Sequence, residues 1–193
     1  MTRIIAGSAG GTVLEVPAAG TRPTSDRVRE SLFGALESAD LLTGARVADL
    51  YAGSGALGLE AISRGAASAD LVEQAPKAAR IAERNADRVQ RAGATGRVRV
   101  HRASVTAFLT AAARGPWDLV FLDPPYDLPD SELTAALTAL AAHLADDAVV
   151  VVERARRSGS PQWEAAGLEA WRDRAYGDTA MWWAQPRAAS QSR

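Results

Sequence analysis

The sequence contains no cysteine, and this absence excludes several kinds of chemistry. Without thiols the chain has no disulfides, no thiolate metal sites and no cysteine nucleophile. Only two histidines are present, His101 and His143, and they lie far apart in the sequence, which makes a histidine-based zinc site improbable. We therefore expect no metal cofactor.

Long apolar runs are also missing. No run approaches the roughly 18 residues of a membrane-spanning helix, and the N-terminus lacks the apolar core of a signal peptide. We therefore expect a soluble cytoplasmic protein that contacts no membrane. The net charge is only −1, so the chain as a whole lacks the basic character of a nucleic-acid binder. Lys77 is the only lysine; arginine suits bidentate phosphate contacts, although a GC-rich genome explains the bias more simply.

Apolar segments with strand and helix periods alternate through most of the chain. Its 193 residues suit one domain with a sizeable core. Strands are predicted at 47–50, 69–73, 97–101, 117–122 and 148–152, and helices at 57–64, 77–92, 105–113 and 131–144. This alternation predicts an α/β fold with a parallel sheet. Segments 167–175 and 179–185 have no helix between them and predict an antiparallel hairpin at the sheet edge.

The first 40 residues predict a small extension. Two short apolar runs around Gly7, Gly10 and Gly11 indicate a β-hairpin, and a helix follows with an apolar stripe of Val28, Leu32, Leu36 and Ala39. Arg27 and Arg29 fall off the stripe. Together with Arg22, which precedes the helix, they form either a solvated face or an RNA phosphate contact. We divide the chain into an extension (1–40), a main domain (41–185) and a disordered tail (186–193).

A glycine loop follows the first predicted strand of the main domain. Gly53, Gly55 and Gly58 match G-x-G-x-x-G, and Glu73 follows about 20 residues after Gly53. Alone, this pattern is typical of a dinucleotide site in which the acid binds a ribose. However, a carboxylate at Asp49, just before the loop, would repel a pyrophosphate. It suits a ligand with ammonium and sulfonium groups, which favours S-adenosylmethionine (SAM).

The most informative stretch runs from Trp117 to Asp127. A buried apolar strand ends at Asp123, and Pro124 and Pro125 then stop the sheet ladder. An acid, a rigid turn and the ring of Tyr126 are thus delivered to the carboxyl end of a strand, where open α/β sheets bind ligands. The stretch predicts a pocket for a planar ring that carries an amino group.

Asp123-Pro-Pro-Tyr126 is similar to the [D/N]-P-P-[Y/F] motif of amino-methyltransferases, which methylate adenine N6, guanine N2 or glutamine N5. Arg3 to Gly7 with Arg22-Pro-Thr24, Asp49 to Ala66, and Phe121 to Tyr126 resemble the RsmD family, and the match extends from residue 3 to about 185. The resemblance implies a class I SAM-dependent methyltransferase fold: a Rossmann-like, mostly parallel seven-stranded sheet with an antiparallel edge hairpin.

The resemblance also implies an activity: methyl transfer from SAM to the exocyclic N2 of a guanine in 16S rRNA, on an assembling small ribosomal subunit, by a chain we expect to be monomeric. The implied catalytic residues are Asp123, Pro124, Pro125 and Tyr126; those for SAM are Asp49, Tyr51, Gly53, Gly55, Glu73, Ser104 and Asp123; those for RNA are Arg3, Arg22, Thr24, Arg27 and Arg29.

Two positions depart from the family pattern. Ala75 stands where the family often has an acid, and Ser104 where it often has Asp or Asn; Ser104 serves equally well as a helix N-cap. The alternatives are adenine-N6 or glutamine-N5 methylation, an NAD-dependent oxidoreductase, and a non-catalytic RNA-binding assembly factor.

Several other residues have structural interpretations. We expect His143 on the surface, a structural role for His101, and a buried backbone hydrogen bond for Asn85. Trp182 and Trp183 should alternate across an edge strand, one packing inward. Arg154, Arg156 and Arg157 form a basic cluster that suits either RNA contact or an exposed loop.

Overall fold

The computed structural model of the chain describes residues 2–17, 26–111 and 115–187. Its elements in chain order are β1 (Thr2–Arg3), β2 (Val13–Leu14), α1 (Asp26–Ser38), β3 (Arg46–Leu50), α2 (Ala56–Ser63), β4 (Ser68–Val72), α3 (Pro76–Arg91), β5 (Arg97–His101), α4 (Val105–Thr110), β6 (Trp117–Leu122), α5 (Asp130–Ala141), β7 (Leu144–Ala155), β8 (Leu168–Tyr176) and β9 (Thr179–Pro186).

Seven strands form one sheet in the order β5-β4-β3-β6-β7-β9-β8. The first five of these are parallel, whereas β9 pairs antiparallel with both β7 and β8. The chain winds outward from β3 to β5, then returns to β6 beside β3. The switch point of the topology therefore lies between β3 and β6, and the predicted parallel sheet with an antiparallel edge hairpin is confirmed.

Helices cover both faces of the sheet, because side chains along each buried strand alternate between two apolar clusters. Val47 and Phe121 face the cluster that contains the apolar residues of α1, α2 and α3. Ala48 and Val120 face the cluster formed with α4 and α5. Both faces are thus buried, which explains why these strands are nearly continuous apolar runs. No helix within the described ranges has the length and apolar character needed to cross a membrane.

Helix α2 approaches the sheet most closely at Gly58. A Cβ atom there would lie 2.3 Å from Leu71 Cδ2 and 3.2 Å from Asp49 Cβ. The Gly58 N–H donates to the Asp49 carboxylate at 2.9 Å. Only glycine allows this separation, so the third glycine of the motif serves helix–sheet packing.

The N-terminal hairpin is fastened to the same helix. The fully buried Glu60 carboxylate accepts the backbone N–H groups of Ile5 at 2.7 Å and Ala6 at 3.1 Å. Ser63 donates its hydroxyl to the Ala6 carbonyl at 2.6 Å and accepts the Ala9 N–H. The predicted hairpin exists, with β1 and β2 paired antiparallel, and it packs directly on the main sheet layer.

A second fastening involves Asn85 of α3. Its side chain accepts the Glu15 N–H and donates to the carbonyls of Glu15 and Ser54, each at 2.9 Å. The predicted buried hydrogen bond of Asn85 to backbone is confirmed, and its partners join the hairpin to the glycine loop.

Several boundaries differ from the predictions. Helix α5 ends at Ala141, although it was predicted to continue to residue 144. Strand β7 begins at Leu144, four residues before the predicted start at Ala148. Helix α1 ends at Ser38, so Ala39 is exposed and does not belong to the apolar stripe. Strand β9 includes Pro186, so the predicted tail begins too early; residues 188–193 lie outside the described part, as do residues 112–114 at the predicted end of α4.

The expectation that His143 is a surface residue is wrong. Its ring is half-buried, lies 5.8 Å from the Trp117 ring and hydrogen-bonds the Leu109 carbonyl at 2.9 Å. His101 contacts Asp70 at 2.7 Å, its ring lies tilted 4.8 Å from that of Phe108, and it does not line the large cavity described below, in agreement with the structural role expected for it. Trp182 and Trp183 face opposite clusters as predicted, but the expectation of an edge strand is wrong, because β9 lies between β7 and β8. Neither side chain is exposed; Trp171, on the edge strand β8, is 42% exposed.

Gly58→Ala tests the close approach of α2. The added methyl group must displace Leu71 or the helix, and overpacking of this kind costs about 1–3 kcal/mol. For a chain of this size we expect the melting temperature to fall by roughly 2–4 °C for each kcal/mol.

Gly34→Ala is the matched control, because a Cβ at this helical position meets no atom within 4 Å. Alanine is the better helix former by about 1 kcal/mol, so this variant should melt at or above the wild-type temperature. Equal melting temperatures of the Gly58 variant and wild type in differential scanning calorimetry would show that a Cβ atom at position 58 fits between α2 and the sheet.

Candidate functional site

A cavity of about 570 Å³ opens at the carboxyl ends of the strands, at the switch point between β3 and β6. This volume lies within the range typical of small-molecule sites. Acidic residues from three strand ends line it: Asp49 of β3, Glu73 after β4 and Asp123 after β6. The predicted meeting of the glycine loop, its acidic partner and the Asp-Pro-Pro-Tyr stretch is therefore observed.

The glycine loop turns sharply under the cavity. Tyr51 has φ of 66°, Gly53 of 55° and Gly55 of 79°, all in the left-handed region. Glycine tolerates this region freely, but tyrosine pays a conformational cost for it, which is often found at ligand sites. The Gly53 N–H donates to Glu73 at 2.9 Å. The loop and the acid are thereby held in one arrangement.

Glu73 is oriented by backbone groups on both sides. Its second oxygen accepts the Ala75 N–H at 2.7 Å, while the first accepts from Gly53. Each carboxylate oxygen can accept more than one hydrogen bond, so both retain capacity for a ligand hydroxyl. Ala75 thus contacts Glu73 through its backbone N–H, although its side chain has no polar group to contribute.

Asp49 is 1% exposed and lines the cavity. Burial raises its pKa to about 7, the Gly58 N–H works against this rise, and the charge of Glu73 adds to it. The carboxyl group is therefore balanced between its charged and neutral forms near neutral pH. A cation in the cavity would favour the charged form.

Asp123 begins the Asp-Pro-Pro-Tyr turn. Burial, with the charges of Glu153 and Asp49, raises its pKa well above the ordinary value. The Leu128 N–H donates to the Pro125 carbonyl at 3.0 Å and closes the turn. Tyr126 remains 62% exposed at the mouth of the cavity. An acceptor and an accessible aromatic ring are thus presented side by side.

A second, narrower cavity of about 30 Å³ borders the same turn. The whole stretch from Asp123 to Tyr126 lines both cavities, and Glu153, Arg154 and Ser158 contribute only to the narrow one. Arg154 is ion-paired with Asp130 and largely covered. Of the predicted basic cluster, Arg156 and Arg157 are exposed in the short turn after β7.

Arg29 differs most from its prediction. The expectation of a solvated face or an RNA contact is wrong, because the residue is 1% exposed and lines the large cavity. Its Nη2 donates to the Arg3 carbonyl at 2.8 Å and to Asp26 at 2.7 Å. Its Nε and Nη1 have no hydrogen-bond partner among the described residues. Unpaired buried cationic donors are costly, which suggests that an anionic ligand group completes them.

Not every predicted residue reaches the site. Gly55 and Ser104 do not line the cavity; Ser104 instead caps α4 by accepting the Ala107 N–H at 3.2 Å. Arg3 and Arg27 are exposed at the N-terminal side. Arg22 and Thr24 lie outside the described residues.

The sequence contained unused signals for the cavity positions of two residues, Arg29 and Glu153. Arg29 lies three residues before Leu32 and seven before Leu36, so its position belongs to the apolar stripe of α1. Glu153 directly follows the apolar run of β7, as Asp123 follows that of β6. The cavity lining supplied by Thr2, Val16 and Pro17 depends on hairpin docking and had no local signal. Within the described ranges, no three acidic or histidine side chains are grouped to bind a metal.

Comparison with known proteins agrees with this geometry. Residues 2–185 match the family model described as "Conserved hypothetical protein 95". The chain is 40% identical to Ribosomal RNA small subunit methyltransferase D of Escherichia coli K12 over 161 residues, which cover 82% of this chain and 77% of that protein. It is 35% identical to YlbH of Bacillus subtilis over 165 residues, 83% and 86% of the two chains.

Solved structures resemble it as well. The structure of yhhF from Escherichia coli has a TM-score of 0.81 and 36% identity, and the match covers 97% of this chain and 98% of the other. Magnesium protoporphyrin IX methyltransferase of Synechocystis PCC 6803, solved with bound SAM, has a TM-score of 0.65 at 18% identity over 83% of this chain and 79% of its own, and shares the fold alone. The fold is that of class I SAM-dependent methyltransferases, and this chain belongs to the family described as conserved hypothetical protein 95, the RsmD family to which its sequence was likened.

Proposed function

We propose that this protein transfers a methyl group from SAM to the exocyclic N2 of a guanine in 16S rRNA, during assembly of the small ribosomal subunit. The observation that carries the proposal is the Asp123-to-Tyr126 turn, which borders both a large acidic cavity and a narrow one. The relative in Escherichia coli is named a small-subunit rRNA methyltransferase, which supports the same class of substrate.

The residues of the large cavity fit SAM. Glu73 retains acceptor capacity for the ribose hydroxyls, and the left-handed turn at Gly53 lets a ligand approach the backbone closely. Asp49 suits the ammonium group of the methionine moiety, and the unpaired Nε and Nη1 of Arg29 suit its carboxylate. A carboxylate and a guanidinium in one cavity thus match the ammonium and carboxylate groups at the methionine end of SAM.

When bound, SAM supplies a methyl group made electrophilic by the sulfonium. The protein must position a poor nucleophile, because the guanine N2 lone pair is delocalised into the ring. The Asp123 carboxylate and the Pro124 carbonyl can each accept one N–H of the amino group, which fixes its orientation. After methylation the nitrogen is strongly acidic, and Asp123, whose pKa is raised, is a suitable acceptor for the proton it loses.

Tyr126 provides the surface on which the base rests. It is 62% exposed, so its ring is accessible for stacking with a base. A guanine must leave its RNA stack to reach Asp123, and stacking on Tyr126 offsets part of that cost.

RNA contact is assigned to the N-terminal side, where Arg3 and Arg27 are exposed. Arg22 and Thr24 belong to the same proposal, and Arg29 is withdrawn from it because it is buried. The overall charge of −1 is small for a protein that binds naked RNA, which favours a structured particle as the substrate.

The activity is tested most directly in cells. Nucleoside mass spectrometry of 16S rRNA should show one N2-methylguanine lost from a strain that lacks the gene, and its position should be mapped by fragment analysis. Loss of an N6-methyladenine instead, with methylguanine intact, would contradict the guanine assignment. For the purified protein, SAM but not NAD should raise the melting temperature.

Asp123→Asn should nearly abolish methylation. The amide keeps the shape of the side chain but removes the charged acceptor, and loss of one preorganised electrostatic contact typically lowers kcat by about 100- to 1,000-fold. SAM affinity, measured by calorimetry, should change far less. Asp87→Asn, at an exposed position of α3, is the matched control. Turnover within a few fold of wild type in the Asp123 variant would remove it from the reaction.

SAM affinity should depend on pH. Asp49 has a pKa of about 7 without ligand, and the cationic ligand favours its charged form, so binding releases a proton at lower pH. Affinity should therefore rise with pH, by about eightfold between pH 6.0 and 7.5 if one group with this pKa titrates. Calorimetry in two buffers of different ionisation enthalpy measures the proton release. Asp49→Asn should bind more weakly and with little pH dependence; a wild-type affinity that is flat or falls over this range is the contrary result.

Arg29→Met should weaken SAM binding by roughly 10- to 100-fold, the range expected for one charge-assisted contact. The loss should be specific to the carboxylate: decarboxylated SAM should bind the variant and wild type with similar affinity. Arg27→Met, on the exposed side of the same helix, is the control. If the Arg29 variant still prefers SAM over its decarboxylated form as strongly as wild type, the carboxylate is held elsewhere.

A further inference from the structure

Glu153 and Asp123 occupy equivalent positions on adjacent parallel strands. Leu122 of β6 pairs with Val152 of β7; Asp123 directly follows β6, and Glu153 is the next residue of β7. Neighbouring strands lie about 4.8 Å apart, and residues in register point to the same side of the sheet. Both residues line the narrow cavity, and the charge of Glu153 acts on Asp123. Two carboxyl groups thus stand side by side at the Asp-Pro-Pro-Tyr turn.

Two adjacent carboxylates can accept hydrogen bonds from two adjacent donors on one ligand. The Watson–Crick edge of guanine presents two neighbouring donors, N1–H and the N2 amino group. Adenine presents an amino group beside an unprotonated N1, which is an acceptor. With the target amino group on Asp123, guanine would direct N1–H at the neighbouring acid, whereas adenine would direct a lone pair at it.

We propose that Glu153 accepts the N1–H of the target guanine and thereby selects guanine over other amino-bearing rings. The inference rests on the proposed function and deepens it, since the Asp-Pro-Pro-Tyr turn alone serves adenine and guanine equally well. Glu153 is a specificity-determining residue, whereas Asp123 holds the amino group that reacts.

The decisive experiment changes both partners of the proposed hydrogen bond: the N1 position of the target base and the side chain of Glu153. Once the target guanine is mapped, small subunits are assembled with 16S rRNA that carries 2-aminopurine at that position. This base keeps the 2-amino group but has an unprotonated N1. Wild-type protein should methylate the guanine particle at least 100-fold faster, because its carboxylate meets a lone pair in the analogue.

Glu153→Gln should shrink or invert that preference. The glutamine amide can donate to the N1 of 2-aminopurine, so methylation of the analogue should rise in absolute rate by tenfold or more while that of guanine falls. Glu169→Gln, at an exposed position of β8, should behave as wild type on both particles. A role limited to folding or to the charge of Asp123 predicts parallel changes on both bases and no gain on the analogue.

Two results would overturn the inference. One is a Glu153→Gln variant that binds SAM normally yet keeps the wild-type ratio between the two bases. The other is a wild-type protein that methylates both particles equally, which needs no variant and is therefore independent of folding defects. Failure of the proposed function has a different signature: wild type that leaves the guanine particle unmethylated at N2.

Discussion

The contact between Gly58 and Asp49 determines how the rest of the site is built. It lets α2 lie against the sheet, because any side chain at position 58 would collide with Leu71. The preceding loop must then turn through left-handed residues, which opens the cavity beneath Glu73. The far end of the same helix carries Glu60 and Ser63, which hold the N-terminal hairpin. Helix α2 therefore positions both the glycine loop and the N-terminal hairpin, and both line the cavity.

The second theme is the crowding of acids at one edge of the sheet. Asp49, Asp123 and Glu153 lie at the carboxyl ends of neighbouring strands. Burial raises the pKa of Asp49, with a contribution from the charge of Glu73, and raises that of Asp123, with contributions from the charges of Glu153 and Asp49. Without a ligand, this edge disfavours its own negative charge. A sulfonium, an ammonium and the N–H groups of a purine each relieve that repulsion, so the ligands of the proposed reaction stabilise the charged forms of the groups that bind them.

Much of the fold could be predicted because strand ends, glycines and prolines leave local signals. The parallel strands, the edge hairpin and the convergence of Asp49, Glu73 and Asp123 followed from those signals alone. The helical spacing puts Arg29 on the apolar stripe of α1, but an arginine at such a position is normally solvated, so its burial was not predicted. Nor could the sequence place His143, whose burial depends on Trp117 from a distant strand. The missed start of β7 has a similar cause, since Leu144 pairs with Trp117 of a distant strand across a register shift.

Asn85 has a consequence for how the two substrates influence each other. It bonds the Glu15 backbone in the N-terminal segment and the Ser54 carbonyl in the glycine loop, so one rigid amide joins the side assigned to RNA with the side assigned to SAM. Ordering either segment reduces the freedom of the other. Such coupling is reciprocal: whatever factor RNA adds to the affinity for SAM, SAM must add to the affinity for RNA. Asn85, which does not line the cavity, thus links the two proposed binding regions through backbone contacts alone.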